Sequence, residues 1–92
     1  MSEGNKTAVN IEHQVDSSRF ILAKAGQECV LDYKVNKGTK SESLIIDFTS
    51  TYVPFSLRGQ GLAEQLVSTG LAWAKMQGYQ IEASCWYVKK FL

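Results

Sequence analysis

The chain changes its hydrophobic period once, and that change dictates what it can fold into. As far as about Tyr52 the pattern reads as successive strands, whereas from Gln60 to Gln77 apolar residues recur at helical spacing. Between them lies the stretch from Thr49 to Ala63. A strand-like run, Leu44 to Phe48, passes through Pro54 into a turn holding Gly59 and Gly61, and an amphipathic helix starts directly behind it. The first N–H groups of such a helix have no partner within it, and the helix dipole adds roughly half a positive charge, so a phosphate is an expected ligand. Lacking a Cβ, the two glycines allow unusual torsions and let a bulky anion approach the amides.

The other elements follow from the same periods. Residues 1–7 are polar and expected to be disordered. Val9, Ile11, His13 and Val15 alternate with polar residues as one face of a first strand, and Ser17 and Ser18 turn the chain. A second strand is expected over Arg19 to Ala23, a turn over Lys24 to Gln27, and a third strand from about Glu28 to Val35. Cys29, Leu31, Tyr33 and Val35 share one face of that strand. A further hairpin turn falls at Asn36 to Thr39. The fourth strand, Ser43 to about Tyr52, contains Leu44, Ile45 and Ile46 in a row, which suggests cover on both faces and a central place.

The helix gathers Leu62, Ala63, Leu66, Val67, Gly70, Trp73 and Ala74 on one side, and Gly78 ends it. Gly70 costs about 1 kcal/mol relative to alanine in a helix, so it marks either a close helix–sheet contact or a tolerated imperfection. Gln80 to Ser84 forms a short fifth strand, and Trp86 to Leu92 a final helical turn or two. Strand, helix and strand in this order make a crossover, so the fifth strand should lie parallel to the fourth through a right-handed connection. Ligands in such sheets bind off the carboxyl ends of strands, which places Cys85 near the glycine loop.

The spacing narrows the ligand. A Walker A loop needs Gly-Lys followed by Ser or Thr, and here Gly61 is followed by Leu62 and Ala63. A dinucleotide fingerprint needs a third glycine where this chain has Glu64. Instead, Arg58, Gly61 and Ala63 resemble the Arg/Gln-x-x-Gly-x-Gly/Ala loop of the GNAT acyltransferase superfamily. Together with Thr51-Tyr52-Val53-Pro54 before the loop and Ser84-Cys85-Trp86-Tyr87-Val88 after the helix, the chain is similar to the very small GNAT-like proteins of the N-acetyltransferase domain-containing type, from about Val9 to Phe91.

This resemblance implies a single domain over residues 1–92 of the α+β class. The fold would be a minimal GNAT-like one, a mostly antiparallel five-stranded sheet with one long helix packed on it and a short C-terminal helix. It also implies acetyl-coenzyme A as co-substrate and an unidentified amine, on a protein or a small molecule, as acceptor. The backbone of Tyr52 and Val53 would meet the pantetheine arm where the fourth and fifth strands splay. Gly59, Gln60, Gly61, Leu62 and Ala63 would hold the pyrophosphate, and Arg58 would add charge beside it. Cys85 is the candidate nucleophile, its thiolate favoured by the start of the last helix, and Tyr87 the candidate proton donor to the departing thiolate. Backbone N–H groups where the fourth strand bends would polarise the carbonyl.

Where relatives generally carry a histidine before Thr51, this chain has Ser50, so no role for that imidazole carries over. Larger members have further elements ahead of the sheet that shape the acceptor site, which here stays open. The alternative to a transferase is a module that holds coenzyme A or an acyl-coenzyme A without transfer, and a third reading is an interaction domain that retains only the fold.

Composition excludes other classes. A net charge of +1 with no basic stripe argues against nucleic acid and anionic membranes as partners. No apolar run approaches the roughly 20 residues of a membrane span, and the first residues do not resemble a signal peptide. A monomer in the cytoplasm is expected, with the nucleus open as a second compartment. Cys29 and Cys85 read as free thiols, and with His13 as the single histidine they make no metal pattern. Cys29, His13, Trp73 and Trp86 read as packing residues, with Glu82 and Asp47 as minor candidates for a general base.

Overall fold

The computed structural model describes residues 10–37 and 44–92. The expectations for residues 1–7, and for the turn beyond residue 37, lie outside the described residues. Five strands form one sheet in sequence order: β1 (Asn10–Gln14), β2 (Arg19–Lys24), β3 (Gln27–Lys37), β4 (Leu44–Tyr52) and β5 (Gln80–Ala83). The first four run antiparallel and β5 lies parallel to β4. Helix α1 (Leu62–Gln77) makes the crossover, and a single helical turn, α2 (Trp86–Lys89), follows β5. This is the α+β architecture expected, with boundaries moved by one to three residues.

The core lies between one face of the sheet and α1. Phe20, Leu22, Cys29, Leu31, Tyr33, Ile46 and Phe48 come from the strands, and Leu62, Leu66, Val67 and Ala74 from the helix. Each such side chain taken fully from water contributes about 1.5–3 kcal/mol, which holds a chain this small together. Trp73 is half-buried in a group of rings with His13, Phe20, Tyr33 and Tyr79. Within it, His13 Nε2 and the Tyr33 hydroxyl are 2.6 Å apart, so the single histidine is satisfied there.

Three expectations need correction. Val15 does not face inward: it opens a short 3-10 turn, Val15–Ser17, and is 63% exposed. The Leu44-Ile45-Ile46 run does not mark cover on both faces: α1 packs on the face that Ile46 and Phe48 share, Ile45 on the opposite face is only half-buried, and Leu44, at the strand's start, is 37% exposed. Helix α1 begins at Leu62 rather than Gln60, because Gly61 is left-handed (φ 76°) and ends the turn before it.

The feature that shapes the site is a break in register between β3 and β4. Asp32 pairs with Ser50 but Tyr33 pairs with Phe48, which leaves Thr49 as an extra residue in β4. Such a bulge bends the strand and reverses which residues face the core. Ahead of it Ile46 and Phe48 face inward; behind it Thr51 and Val53 are the half-buried residues, and Ser50 and Tyr52 are exposed. The pairing with β5 ends at the same place, Phe48 with Ala83, and the N–H groups of Ser84 and Cys85 both donate to the Phe48 carbonyl, at 3.1 and 3.0 Å. From there β4 continues without β5 beside it.

Candidate active site

A cleft of about 630 Å³ opens where β4 and β5 part. Thr51 and Val53 of β4 and its extension form one wall, the loop from Leu57 to Gly61 and the first turn of α1 the second, and Cys85, Trp86 and Tyr87 the third. The loop is held from several sides. Leu57 is buried in the core, Gln27 Nε2 donates to Ser56 Oγ at 2.7 Å, and Lys24 Nζ donates to Gln60 Oε1 at 2.7 Å. The β2–β3 hairpin thus fixes the loop against the sheet.

At the head of α1, Gln65 N–H makes the first intrahelical bond, to the Gly61 carbonyl at 3.2 Å, so the N–H groups of Leu62, Ala63 and Glu64 have no partner within the helix. Gly59 and Gly61 both hold positive φ, 82° and 76°, which side chains strain to adopt, and a Cβ at Gly59 would meet only open space. A cradle of unpaired amides free of side-chain bulk fits a pyrophosphate. One group opposes it. The Glu64 carboxylate folds back to within 3.7 Å of where a Gly61 Cβ would lie, in the place an anion would take.

The thiol of Cys85 sits at the inner end of the cleft. Burial pushes it up, but N–H from Val88, the Thr51 hydroxyl, and the N–H groups of Tyr87 and Thr51 together hold it below the ordinary thiol range. The Thr51 oxygen lies 3.6 Å from Sγ. Two of these donors exist because α2 starts at Trp86, and the Thr51 hydroxyl reaches the thiol because the bulge aims that side chain inward. Asp47 holds the junction in place, accepting from Ser84 N–H and the Ser84 hydroxyl at 2.7 Å each. Burial, with the Glu64 charge adding to it, raises the Tyr87 hydroxyl above its usual range.

Of the residues singled out from sequence, Cys85, Tyr87, Val53, Arg58, Gly59, Gly61, Leu62 and Ala63 line this one cleft. Two do not. Tyr52 turns outward, 55% exposed, because the bulge reverses the alternation, and Gln60 points to Lys24. The Val53 carbonyl accepts from Arg58 Nε at 3.0 Å, and the Arg58 guanidinium lies 5.8 Å over the Phe55 ring. Thr51, Leu57, Glu64 and Trp86 also line the cleft and had not been assigned. Thr51 and Trp86 stood within the family motifs; Leu57 and Glu64 carried no local signal. Cys29 is fully buried and its thiol is pushed up by burial. Asp47 accepts from Ser84 and Glu82 lies exposed in β5, and neither lines the cleft. Among the described residues no cluster of three or more His, Cys, Asp or Glu side chains is placed to hold a metal ion, and no helix is long and apolar enough to cross a membrane.

A parted pair of parallel strands, an amide cradle at the head of the crossover helix and a cleft joining the two define an acyltransferase-type domain. The family model for GCN5-related N-acetyl-transferase matches residues 19–92, and the chain belongs to that family. Among curated proteins it is similar to Protein NATD1 of Xenopus tropicalis, 26% identical over 89 residues that cover 94% of this chain and 76% of the frog protein. It is also similar to Protein NATD1 of Bos taurus, 33% identical over 48 residues, 52% of this chain and 42% of the bovine protein. The human counterpart is 31% identical over a stretch of the same length, again covering 42% of that protein. The matched stretch thus spans less than half of the bovine and human relatives.

Proposed function

We propose that the domain transfers an acetyl group from acetyl-coenzyme A to an amine, with Cys85 as the nucleophile. The observation that carries this reading is the single cleft running from the unpaired amides at Leu62, Ala63 and Glu64 to the Cys85 thiol. In the first step the Cys85 thiolate attacks the thioester carbonyl carbon; the bond from that carbon to the donor sulfur breaks, and coenzyme A leaves as a thiolate. The acceptor, in its neutral amine form, then attacks the acetyl-Cys85 carbonyl, gives up a proton to solvent or to the coenzyme A thiolate released in the first step as the amide forms, and returns Cys85 as thiolate. Donors around the thiol favour the attacking form without a neighbouring base.

Tyr87 acts as a hydrogen-bond donor. With its hydroxyl raised it stays protonated at neutral pH and stabilises the departing thiolate, while full transfer to a thiolate of ordinary pKa is uphill. Binding of the pyrophosphate displaces the Glu64 carboxylate from the cradle. The test is mass spectrometry after incubation with acetyl-coenzyme A alone, then with an amine panel. A 42 Da adduct, about the mass of an acetyl group in place of hydrogen, should appear on Cys85 and be absent from Cys85→Ala, which should still bind the donor but not turn over. Turnover retained in Cys85→Ala would replace the two-step route by direct attack of the amine.

A further inference from the structure

The third wall of the cleft carries an arrangement that the transfer steps do not use. Trp86 and Tyr87 stand nearly perpendicular, 85° between ring planes with centroids 6.1 Å apart, and the ammonium of Lys90 sits in the corner, 5.0 Å from each centroid. Among the described residues the one ion pair is Arg19 with Asp32, so Lys90 is held by ring faces and not by a carboxylate. Trp86 is 70% exposed and absent from the core, in contrast to the packed Trp73. Its position is therefore not set by burial. Both rings line the same cleft as Cys85. Of the two charged groups in that lining, the Arg58 guanidinium turns to the Val53 carbonyl and the Phe55 ring, while Glu64 is the one carboxylate.

We propose that the Trp86–Tyr87 corner is the recognition subsite for the acceptor, a primary ammonium on an aliphatic arm, and that Lys90 occupies it in the free protein as an intramolecular stand-in. The proposal rests on the transfer reading for the word acceptor, but the subsite itself is a binding claim. An ammonium over two aromatic faces is attracted by both ring quadrupoles, most strongly over tryptophan. Lys90 lies three and four residues along the chain from the two rings and fills the corner at high effective concentration, so an external ammonium must displace it. Two sources share this chemistry, the side chain of a lysine in a protein and a free polyamine.

The test uses wild type, Lys90→Gln and Trp86→Ala, titrated with N-acetyl-lysine amide, with spermidine, and with N-acetyl-norleucine amide as the uncharged isostere, followed by NMR of the indole N–H signals. Lys90→Gln should bind the ammonium ligands more tightly than wild type, by between about 2- and 30-fold for one cation–π partner removed from competition. Trp86→Ala should lose that binding, and the norleucine amide should fail in all three proteins. Preference for the lysine amide assigns the subsite to proteins, and preference for spermidine assigns it to polyamines. Equal binding of lysine and norleucine amides, or no gain in Lys90→Gln, overturns the proposal. Titration of the same proteins with acetyl-coenzyme A separates the two claims: ammonium binding without donor binding overturns the transfer reading and leaves the subsite standing.

Discussion

Replacing Gly70 by alanine should destabilise the protein, although alanine is the better helix former. Gly70 lies in the middle of α1, on the face packed against the sheet. A Cβ built there falls 2.8 Å from Leu31 Cδ2 and 3.1 Å from Phe48 Cε1, and both of those side chains are fully buried. Neither has room to withdraw. Helix propensity alone favours alanine by about 1 kcal/mol. Forcing an extra methyl into a packed core costs about 1–3 kcal/mol. The difference is a net loss of up to about 2 kcal/mol, and each kcal/mol lowers Tm by roughly 4–8 °C in a domain of this size. The control is Ser68, exposed on the same helix: there alanine should be more stable than glycine by the full propensity of about 1 kcal/mol. Thermal unfolding of the four proteins reads both signs. If alanine stabilises position 70 as it does position 68, the close approach of α1 to β3 and β4 is wrong.

Other consequences are shorter to state. Iodoacetamide should alkylate Cys85 with a midpoint below that of an ordinary thiol, Thr51→Val should move that midpoint upward by removing the hydroxyl donor, and Cys29 should stay unmodified in the folded protein. Glu64→Gln should tighten acetyl-coenzyme A binding by roughly 2–5-fold, less at high salt, because a like charge leaves an exposed anion cradle; weaker binding would mean that the carboxylate supports the site. Asp47→Ala should cost about 1–2 kcal/mol in urea unfolding and slow Cys85 alkylation, since both carboxylate bonds to Ser84 are lost and only the bond from its N–H to the Phe48 carbonyl remains. Burial lowers His13 below its ordinary value of 6.5, so the unfolded chain takes up its proton first. Stability should therefore fall as pH drops below about 6.5 and level off below the folded value, and His13→Phe should flatten that part of the curve.

The elements were legible because each has its own period. Cys29, Leu31 and Tyr33 alternate along β3, and Leu62, Leu66, Val67, Gly70 and Ala74 follow the helical stripe of α1. The cradle was legible from Gly59 and Gly61, since few other residues accept those torsions. What the sequence hid was the bulge at Thr49. No residue type demands it; it is a property of how β3 and β4 pair, and it decides that Thr51 faces the thiol while Tyr52 does not. The side-chain partner of Gln60 was hidden for a similar reason, because Lys24 is 36 residues away. The Leu44 to Ile46 run misled because a short apolar run has no period from which to tell one covered face from two. Trp86 was read as packing, yet it stands exposed on the cleft wall, because α2 starts there and turns the indole away from the core.

The central claim is that the cleft accepts acetyl-coenzyme A with its pyrophosphate at the head of α1, and the direct measurement is a calorimetric titration of wild type, Gly61→Asn and Gly61→Glu. Asparagine tolerates the left-handed conformation that Gly61 holds, so that variant checks that the loop survives a side chain, while glutamate adds bulk and negative charge at the cradle. The account predicts saturable binding in wild type, weakened binding in Gly61→Asn and none in Gly61→Glu, with all three proteins folded by circular dichroism. Binding undiminished in Gly61→Glu would move the pyrophosphate away from α1, and no binding in folded wild-type protein at millimolar ligand would contradict the assignment of this cleft as a donor site.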